Sequence, residues 1–421
     1  MWIVIHKMQY LNRELEKTLN NLIETRPIIY LSGPRQVGKS TIVNNIKQNI
    51  NYLTFDSPIL FNSAKNNPES FLNSLPKDKI NIIDEVQLVP ELFNYLKMAV
   101  DSNRLTQTNN NCFILTGSAN LMALPMLSQA LVGRMSVLKL LQFSSSEYLQ
   151  TSNNFIERLL KEDLTYKKYE NYDFLDIMQN ATFPEIAINK NIDRIKWIDD
   201  YLTTILQRDT KIITDIRNPE KIIMLLNALS MRVGGLVNNC EIASEIGLDR
   251  KTYDKYKNFI INTFLCSEIK PWAPLEKIIK RFAKSSKLYF SDINLLTYIL
   301  KRKLKNIYED NKIMFGHIFE NFIALEIVKN LTSLNNIKLS HFRTSDNKEV
   351  DFILENYNNE MIAIKVKSSS IVDTKDIKHL IFLKDLVKDR FKKGIVFYTG
   401  NEIVSLADKI WAVPIVFLWN K

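Results

Sequence analysis

Cysteine and long apolar runs are scarce in this sequence. Its three cysteines, Cys112, Cys240 and Cys266, lie far apart, form no Cys-x-x-Cys pair and have no histidine cluster nearby. This spacing favours neither a disulfide framework nor a zinc site, and it fits a reducing compartment. No run approaches the roughly 20 apolar residues of a membrane span, and the apolar opening is too short for a secretory signal. We therefore expect a cytoplasmic protein with no membrane partner.

The composition is otherwise that of a globular protein. Hydrophobic residues make up 46% and charged residues 24% of the chain, a balance that can bury a core. At about 100 to 200 residues per domain, 421 residues predict two to four domains. An excess of 56 basic over 46 acidic residues gives a net charge of +10. That charge fits nucleic-acid binding, but it fits a lysine-rich surface without such a role about as well.

A glycine-rich turn follows the first predicted strand, residues 27–31. Residues 33–40 read Gly-Pro-Arg-Gln-Val-Gly-Lys-Ser and match the phosphate-binding pattern GxxxxGK[ST] at every fixed position. A turn of this kind between a strand and a helix places successive backbone N–H groups against phosphate oxygens. The residues predicted to bind a nucleotide are Gly33, Pro34, Arg35, Gln36, Val37, Gly38, Lys39, Ser40 and Thr41. Lys39 would reach the β and γ phosphates of ATP, and Ser40 would bind Mg²⁺.

Two adjacent carboxylates end a second apolar run, residues 80–83. This is the pattern of the strand that supplies the metal and water-activating groups in P-loop proteins. Asp84 would hold Mg²⁺, and Glu85 would polarise the attacking water as a general base. Either carboxylate alone is a common end to a strand, so the prediction depends on their occurring together with the glycine-rich turn.

Three further residues are candidates for stabilising the transferred phosphate. Ser118 follows the apolar run at 113–116, where a sensor of the γ-phosphate usually lies, although short polar residues there also form ordinary turns. Arg134 and Arg208 could each act as an arginine finger, within one chain or between chains, and each could equally be a surface arginine. The predicted catalytic set is therefore Lys39, Glu85, Ser118 and Arg134.

The later part of the chain changes character twice. Residues 153–310 have mainly helical spacing, and alternating strands appear after residue 315, including a hairpin at residues 350–366. Parallel strands joined by helices are the economical fold for the first part. We predict an α/β P-loop domain with a parallel sheet over residues 1–152, a helical domain over residues 153–310 and a small α/β domain over residues 311–421.

Residues 238–256 read as two short helices around a turn at Gly247. This helix-turn-helix pattern would place Arg250, Lys251, Lys255 and Lys257 on or beside the second helix. Arg250, Lys251 and Lys255 are the predicted DNA contacts. A second basic cluster with interleaved aromatic residues has a composition suited to a phosphate backbone. Its members are Lys277, Lys280, Arg281, Lys284 and Lys287. A module that packs only against protein, with its basic residues solvated, explains both clusters about as well.

The motifs, taken in order, resemble a large family of AAA-type ATPases of bacteria and archaea. The resemblance rests on Leu-Ser-Gly-Pro-Arg-Gln-Val-Gly-Lys-Ser-Thr at 31–41, Ile-Asp-Glu-Val-Gln at 83–87, Leu-Thr-Gly-Ser-Ala at 115–119, Val-Gly-Arg at 132–134, Lys-Leu-Tyr-Phe-Ser-Asp at 287–292 and Glu-Val-Asp-Phe at 349–352. It implies an ATPase domain, a winged-helix-like region and a restriction-endonuclease-like C-terminus. It also implies homo-oligomers, in which one subunit completes the site of another.

The implied C-terminal site departs from a working nuclease. In restriction-endonuclease-like folds an Asp on one strand and a Glu-x-Lys on the next hold Mg²⁺, often with a Glu from the first helix. The matching residues are Glu320, Glu349, Asp351, Lys365 and Lys367. Strand alternation places the two lysines on one face, but Lys365 stands where a metal-binding glutamate is expected, and its ammonium group would repel Mg²⁺. A degenerate site, DNA-shaped or purely structural, is favoured. Rescue of a metal site by Glu349 is one alternative, and a salt-bridged hairpin that pairs Glu349 and Asp351 with Lys365 and Lys367 is another.

These patterns together predict a protein that hydrolyses ATP with Mg²⁺ and couples this to binding DNA or a protein partner. A nucleotide-gated binding module with little hydrolysis and an ATP-dependent metal nuclease are the alternatives.

Overall fold

The computed structural model describes residues 10–106, 112–118, 133–170, 172–210, 216, 218–272, 285–334 and 336–420. The chain divides into two compact units. The N-terminal unit comprises residues 12–142 and 262–264, and the remainder of the chain forms the C-terminal unit. Within the described ranges, no helix has both the length and the apolar character needed to cross a bilayer.

The N-terminal unit is built on a parallel sheet. Its strands are β1 (Ile28–Ser32), β2 (Ile50–Thr54), β3 (Ile80–Asp84), β4 (Phe113–Gly117) and β5 (Met135–Lys139). They lie in the order β2-β3-β4-β1-β5, and every neighbouring pair is parallel. Its helices are α1 (Leu15–Thr25), α2 (Lys39–Asn44), α3 (Pro58–Asn66), α4 (Pro68–Asn73) and α5 (Leu92–Thr106). The prediction of a parallel α/β sheet for this part of the chain is confirmed.

The three central strands decide where the site of the N-terminal unit lies. β1, β3 and β4 are buried along their whole length, as parallel strands covered on both faces are. Because the strands are parallel, their carboxyl ends meet at one edge of the sheet. The segments that follow β1, β3 and β4 therefore converge there, which is where open α/β sheets bind ligands.

Helices make up most of the C-terminal unit before residue 335. They are α6 (Ser145–Tyr148), α7 (Phe155–Lys161), α8 (Phe174–Asn180), α9 (Pro184–Ile188), α10 (Arg194–Thr204), α11 (Glu220–Ser230), α12 (Asn239–Glu245), α13 (Arg250–Asn262), α14 (Ile293–Ile299), α15 (Leu304–Asp310), α16 (Lys312–Leu331) and, later, α17 (Lys378–Val387). Side-chain caps fix several helix starts: Asp292 accepts from the N–H groups of Asn294 and Leu295 at the start of α14. A π-helical turn, Ile205–Asp209, extends α10.

A mixed sheet and a separate hairpin complete the C-terminal unit. The sheet strands are β6 (Lys167–Lys168), β9 (Ile337–Arg343), β10 (Glu349–Asn356), β11 (Met361–Val366), β12 (Phe391–Tyr398), β13 (Glu402–Ala407) and β14 (Ile410–Pro414), and the hairpin strands are β7 (Cys266–Ile269) and β8 (Lys287–Phe290). The sheet order is β6-β13-β14-β12-β11-β10-β9. β11, β12 and β14 run parallel to one another, and the other pairs are antiparallel. The antiparallel pairing of β10 with β11 matches the predicted hairpin.

Segments of the predicted second and third domains exchange hydrogen bonds within the C-terminal unit. β6, from the predicted middle domain, pairs with β13 near the end of the chain. The side-chain amide of Asn154 donates to the backbone O of Asn330 at 3.0 Å, and that of Asn153 donates to Phe417 O at 3.3 Å. The two predicted domains therefore share one folded unit, because segments far apart in the sequence supply each other's backbone partners.

Candidate nucleotide site

Residues 33–38 form the turn between β1 and α2, and two glycines allow its path. Gly38 precedes α2 with a φ of 90°, in the left-handed region that favours glycine. Gly33 packs against the backbone after β5, where an added Cβ would lie 2.0 Å from the carbonyl oxygen of Leu140. A side chain at either position would move the turn, so the fixed glycines of the motif have a local steric reason.

Lys39 and Ser40 begin α2 and point toward the same edge of the sheet. Lys39 is 7% exposed, and its ammonium group donates to Gly33 O at 3.0 Å and Pro34 O at 2.7 Å. The hydroxyl of Ser40 donates to Asp84 Oδ2 at 3.1 Å. The turn after β1 and the end of β3 are thus joined directly, which brings a cation, a hydroxyl and a carboxylate together.

Asp84 ends β3 and is surrounded by neutral donors. It accepts hydrogen bonds from the hydroxyls of Ser40, Tyr52 and Thr116 and, at 3.1 Å, from the backbone N–H of Glu85. Burial, together with the hydrogen bond to Asp84, raises the pKa of Tyr52, so its phenol stays a donor. Hydroxyl and carboxylate oxygens are the ligands that Mg²⁺ prefers. The donor set of Ser40 and Asp84 therefore fits this ion.

Glu85, Gln87 and Ser118 form a polar cluster beside Asp84. Glu85 has a φ of 56° and a ψ of 40°, a left-handed conformation that is uncommon for a residue with a side chain and often marks functional sites. The side-chain amide of Gln87 donates to the carboxylate of Glu85. Ser118 Oγ lies 3.4 Å from Gln87 Nε2 and 3.4 Å from Glu85 Oε2. The chain thus holds Glu85 through neutral donors.

The geometry brings together the residues of three sequence motifs. Residues 25–149 match the family model described as an AAA domain. These residues include all five strands of the N-terminal sheet and the phosphate-binding turn. Two further family models, both described as domains of unknown function, match residues 171–306 and 315–418.

Two relatives match nearly the whole length of this chain. The chain is 24% identical over 404 residues to an uncharacterized protein of Mycobacterium tuberculosis and to one of Mycobacterium bovis, covering 96% of this chain and 83% of each relative. Among solved structures, it is similar to a Walker-type ATPase of Pyrococcus abyssi, with 14% identity, a TM-score of 0.40 and coverage of 70% of this chain and 97% of that one. DnaA from Aquifex aeolicus, bound to AMPPCP, matches with 15% identity and a TM-score of 0.28, covering 60% of this chain and 89% of that one.

Three residues that support the site in the N-terminal unit were not predicted from the sequence. Arg13 is 7% exposed and donates to Val37 O at 3.0 Å and to Leu141 O at 2.5 Å. It therefore connects the phosphate-binding turn to the segment that follows β5. Gln87 and Tyr52 contact the two motif carboxylates. Gln87 could have been predicted, because it is the last residue of the Ile-Asp-Glu-Val-Gln motif. Arg13 belongs to no motif, so its role could not be predicted from neighbouring residues.

Arg134 lies at the wrong end of β5 for the phosphate site of its own unit. β5 is parallel to β1 with Met135 opposite Ile28, so Arg134 precedes the amino end of β5, whereas the phosphate-binding turn follows the carboxyl end of β1. Its side chain pairs with Asp101, with Nε 2.6 Å from Oδ1. The predicted role within one chain therefore does not fit this geometry, and a role toward another subunit stays a prediction. Arg208 lies in the π-helical turn of the C-terminal unit.

The carboxylates of the implied nuclease site do come together, but around a lysine. The Nζ of Lys287 lies 2.9 Å from Glu320 Oε1, 2.6 Å from Glu349 Oε1 and 3.9 Å from Asp351 Oδ1, and its side chain is 1% exposed. Lys365 Nζ is 2.8 Å from Asp351 Oδ1. Among the described residues, no group of three or more His, Cys, Asp or Glu is arranged to hold a metal ion. Two ammonium groups thus compensate the carboxylates.

The pKa shifts in this lysine-centred cluster follow from burial and charge. Burial opposes the charged form of Lys287, but Glu320, Asp351 and Glu349 outweigh it and raise its pKa. Burial also opposes ionisation of Asp351, yet Lys365 and Lys287 hold its pKa below the ordinary value. Burial raises the pKa of Glu320. The cluster is therefore an internal ion-pair network.

One prediction about a lysine of this region is wrong. Lys287 was predicted to belong to a basic cluster suited to nucleic acid. It lies instead on β8, where its side chain is buried and surrounded by carboxylates. The placement of Lys367 on one face with Lys365 stays a prediction, and Lys367 Nζ lies 2.5 Å from Asp376 Oδ1. The other members of the second basic cluster, residues 277, 280, 281 and 284, lie outside the described residues.

The predicted pair of helices around Gly247 is present as α12 and α13. Gly247 has a φ of 64°, and both lysines of the predicted DNA-contacting set, Lys251 and Lys255, are exposed one turn apart on α13. Arg250 is also exposed, but its Nε pairs with Asp254 Oδ2 at 2.9 Å. Lys251 and Lys255 thus lie one turn apart on the exposed face of α13.

Proposed function

We propose that this protein binds ATP at the carboxyl edge of the parallel sheet and hydrolyses it with Mg²⁺. The observation that supports this most is the direct joining of the phosphate-binding turn to the end of β3, through the hydrogen bond from Ser40 to Asp84. In this proposal Lys39 binds the β and γ phosphates, and Ser40 and Asp84 hold Mg²⁺.

Glu85 serves as the general base in this proposal. Its carboxylate takes a proton from water as the water oxygen attacks the γ-phosphorus, and the bond from that phosphorus to the bridging oxygen of ADP breaks. The side chains of Gln87 and Ser118 both donate hydrogen bonds to the Glu85 carboxylate and so fix its orientation. Because both are neutral, neither compensates the charge of this carboxylate.

Two substitutions test the proposal. Lys39→Ala should abolish most Mg·ATP binding in a calorimetric titration, because it removes the ammonium group from the phosphate site. Glu85→Gln should keep binding but reduce phosphate release by about 10²- to 10⁴-fold, since it removes only the base. Wild-type protein that binds no Mg·ATP would contradict the proposal. Wild-type binding without turnover would instead favour the nucleotide-gated module.

We further infer that the nucleotide cycle is coupled to DNA through the C-terminal unit. The sequence of α11, α12, α13 and the β7–β8 hairpin is the order found in winged-helix modules, and Lys251 and Lys255 are exposed on the second helix of the pair. A protein-only role for this module is the alternative. In fluorescence anisotropy with duplex DNA, each of Lys251→Ala and Lys255→Ala should lower the salt slope by about 1. An unchanged slope in both variants would favour the protein-only role.

Metal-dependent DNA cleavage is not proposed, because Lys287 and Lys365 already compensate the carboxylates that would hold the metal. Assembly into a homo-oligomer in the cytoplasm remains part of the proposal, with Arg134 and Arg208 as candidate fingers between subunits.

A further inference from the structure

A groove of about 1010 Å³ lies within the C-terminal unit, lined by residues of α10, α11, α14, α15 and the turn between the last two. Its floor is aliphatic and is formed by Leu202, Leu206, Ile223, Ile299 and Leu304. Ile195, on the first turn of α10, extends this apolar surface outward and is 63% exposed. The groove thus offers apolar surface to a ligand, in a volume at the upper end of ordinary binding sites.

The rim of the groove is basic. Lys301, Lys303 and Lys305 are exposed along the segment from the end of α14 into α15. Arg302 and Arg194 also line the groove, but Arg302 pairs with Asp310 at 2.5 Å, and Arg194 donates to Asn180 Oδ1 at 2.6 Å. The three lysines and Arg194, whose partner Asn180 is neutral, therefore give the rim its positive charge. A complementary ligand carries carboxylates or phosphates outside an apolar centre.

The floor distinguishes between these two kinds of ligand. Single-stranded nucleic acid gains affinity by stacking bases on aromatic rings, and Tyr298 is the one aromatic side chain among the described lining residues. Its hydroxyl donates to Asp199 at 2.6 Å, and this hydrogen bond together with burial raises the pKa of Tyr298 to about 12. Aliphatic side chains fit the floor better than bases do.

We propose that this groove binds an acidic amphipathic segment of a partner protein, with its apolar side chains on the floor and its carboxylates facing Lys301, Lys303 and Lys305. The proposal concerns a surface of the C-terminal unit and does not depend on nucleotide turnover. It specifies what kind of protein partner the chain would recognise.

Fluorescence anisotropy with a labelled peptide tests this proposal on the full chain. The probe is a synthetic helical peptide with leucines at positions i, i+3, i+4 and i+7 and glutamates elsewhere. It should bind, and Ile195→Asp should weaken binding at least tenfold because a carboxylate would then stand on the apolar surface. Ile195 is exposed at the first turn of a helix, where an acidic side chain is tolerated. The matched control is Ile313→Asp, an 80% exposed isoleucine outside the groove.

The charge of the rim is tested in the same way. Lys301→Glu combined with Lys303→Glu should weaken peptide binding at least tenfold, whereas Lys375→Glu combined with Lys378→Glu, two exposed lysines elsewhere on the unit, should not. The same peptide with every glutamate replaced by lysine should not bind. No binding of the acidic peptide, or binding that is insensitive to Ile195→Asp, would overturn the proposal. So would tighter binding of an oligo-dT probe that these variants abolish, because it would identify a nucleic-acid groove.

Discussion

Asp84 in the N-terminal unit and Asp351 in the C-terminal unit are both buried carboxylates at strand positions, yet their partners are opposite in kind. Asp84 accepts from three hydroxyls and a backbone N–H group, all of them neutral. Asp351 accepts from the ammonium group of Lys365 and from the N–H of Val366, and it lies 3.9 Å from the ammonium group of Lys287. The first keeps its charge available, and the second has its charge compensated within the protein.

This difference shows what a carboxylate motif needs before it can serve a metal. A neutral hydrogen-bond donor orients a carboxylate and leaves a net charge for a cation to neutralise. A buried ammonium group supplies that neutralisation itself and would repel an incoming divalent ion. Similar carboxylate-bearing strands can therefore give a candidate magnesium site in one unit and an internal ion-pair network in the other.

The largest effect should follow from removing the cation of the lysine-centred cluster. Lys287→Met leaves Glu320, Glu349 and Asp351 with less compensation in a buried place, so the free energy of unfolding should fall by about 3 to 5 kcal/mol. Urea denaturation followed by intrinsic fluorescence measures this change. The exposed Lys378→Met should change stability by less than about 0.5 kcal/mol.

The pH dependence of that loss has a definite sign. Without Lys287, the pKa of Glu320, already raised by burial, rises further in the folded state. A carboxyl with a raised folded pKa stabilises the fold below its unfolded pKa of about 4.3, and this contribution is lost as the pH rises through the folded pKa. The variant should therefore lose less stability at pH 5 than at pH 8. An equal loss at both pH values would show that the cluster does not act through charge.

A smaller effect is expected from removing the neutral side chain of Gln87, which donates to Glu85 in the N-terminal unit. Gln87→Leu removes a hydrogen bond to a charged group, so the kcat for ATP should fall by about 10- to 100-fold if Glu85 is the base. KM should stay within about twofold, because Gln87 contacts the base and not the phosphate-binding turn. Steady-state phosphate release measures both constants. A rise in KM with unchanged kcat would mean that Gln87 supports ATP binding. It would contradict the claim that this neutral donor orients Glu85 for catalysis.

The smallest effect should come from one of several neutral donors to Asp84. Tyr52→Phe removes the phenol but leaves Ser40 and Thr116 on the carboxylate, so we expect a loss of about 1 kcal/mol in the free energy of unfolding. Tyr166→Phe, at a residue that is 69% exposed, is the matched control and should have no measurable cost. A loss for Tyr52→Phe as large as that for Lys287→Met would contradict the distinction between the two clusters.

The sequence predicted those parts of the fold that depend on residues close together in the chain. The strand-turn-helix at residues 28–44, the carboxylates at the end of β3 and the helix pair around Gly247 all have local patterns. The sequence did not predict the placement of Lys287, because its partners Glu320 and Glu349 are 33 and 62 positions away along the chain. It also did not predict the pairing of β6 with β13, because that pairing has no local signal.

By itself, the sequence determined that a glycine-rich turn, a lysine and two carboxylates stand at the carboxyl edge of a parallel sheet, because backbone geometry and strand polarity follow from local residue types. Only the tertiary structure decided which carboxylates have their charge compensated by an ammonium group. That depends on whether folding brings an ammonium group or a hydroxyl to each buried oxygen, as it brings Lys287 to Glu320 and Tyr52 to Asp84.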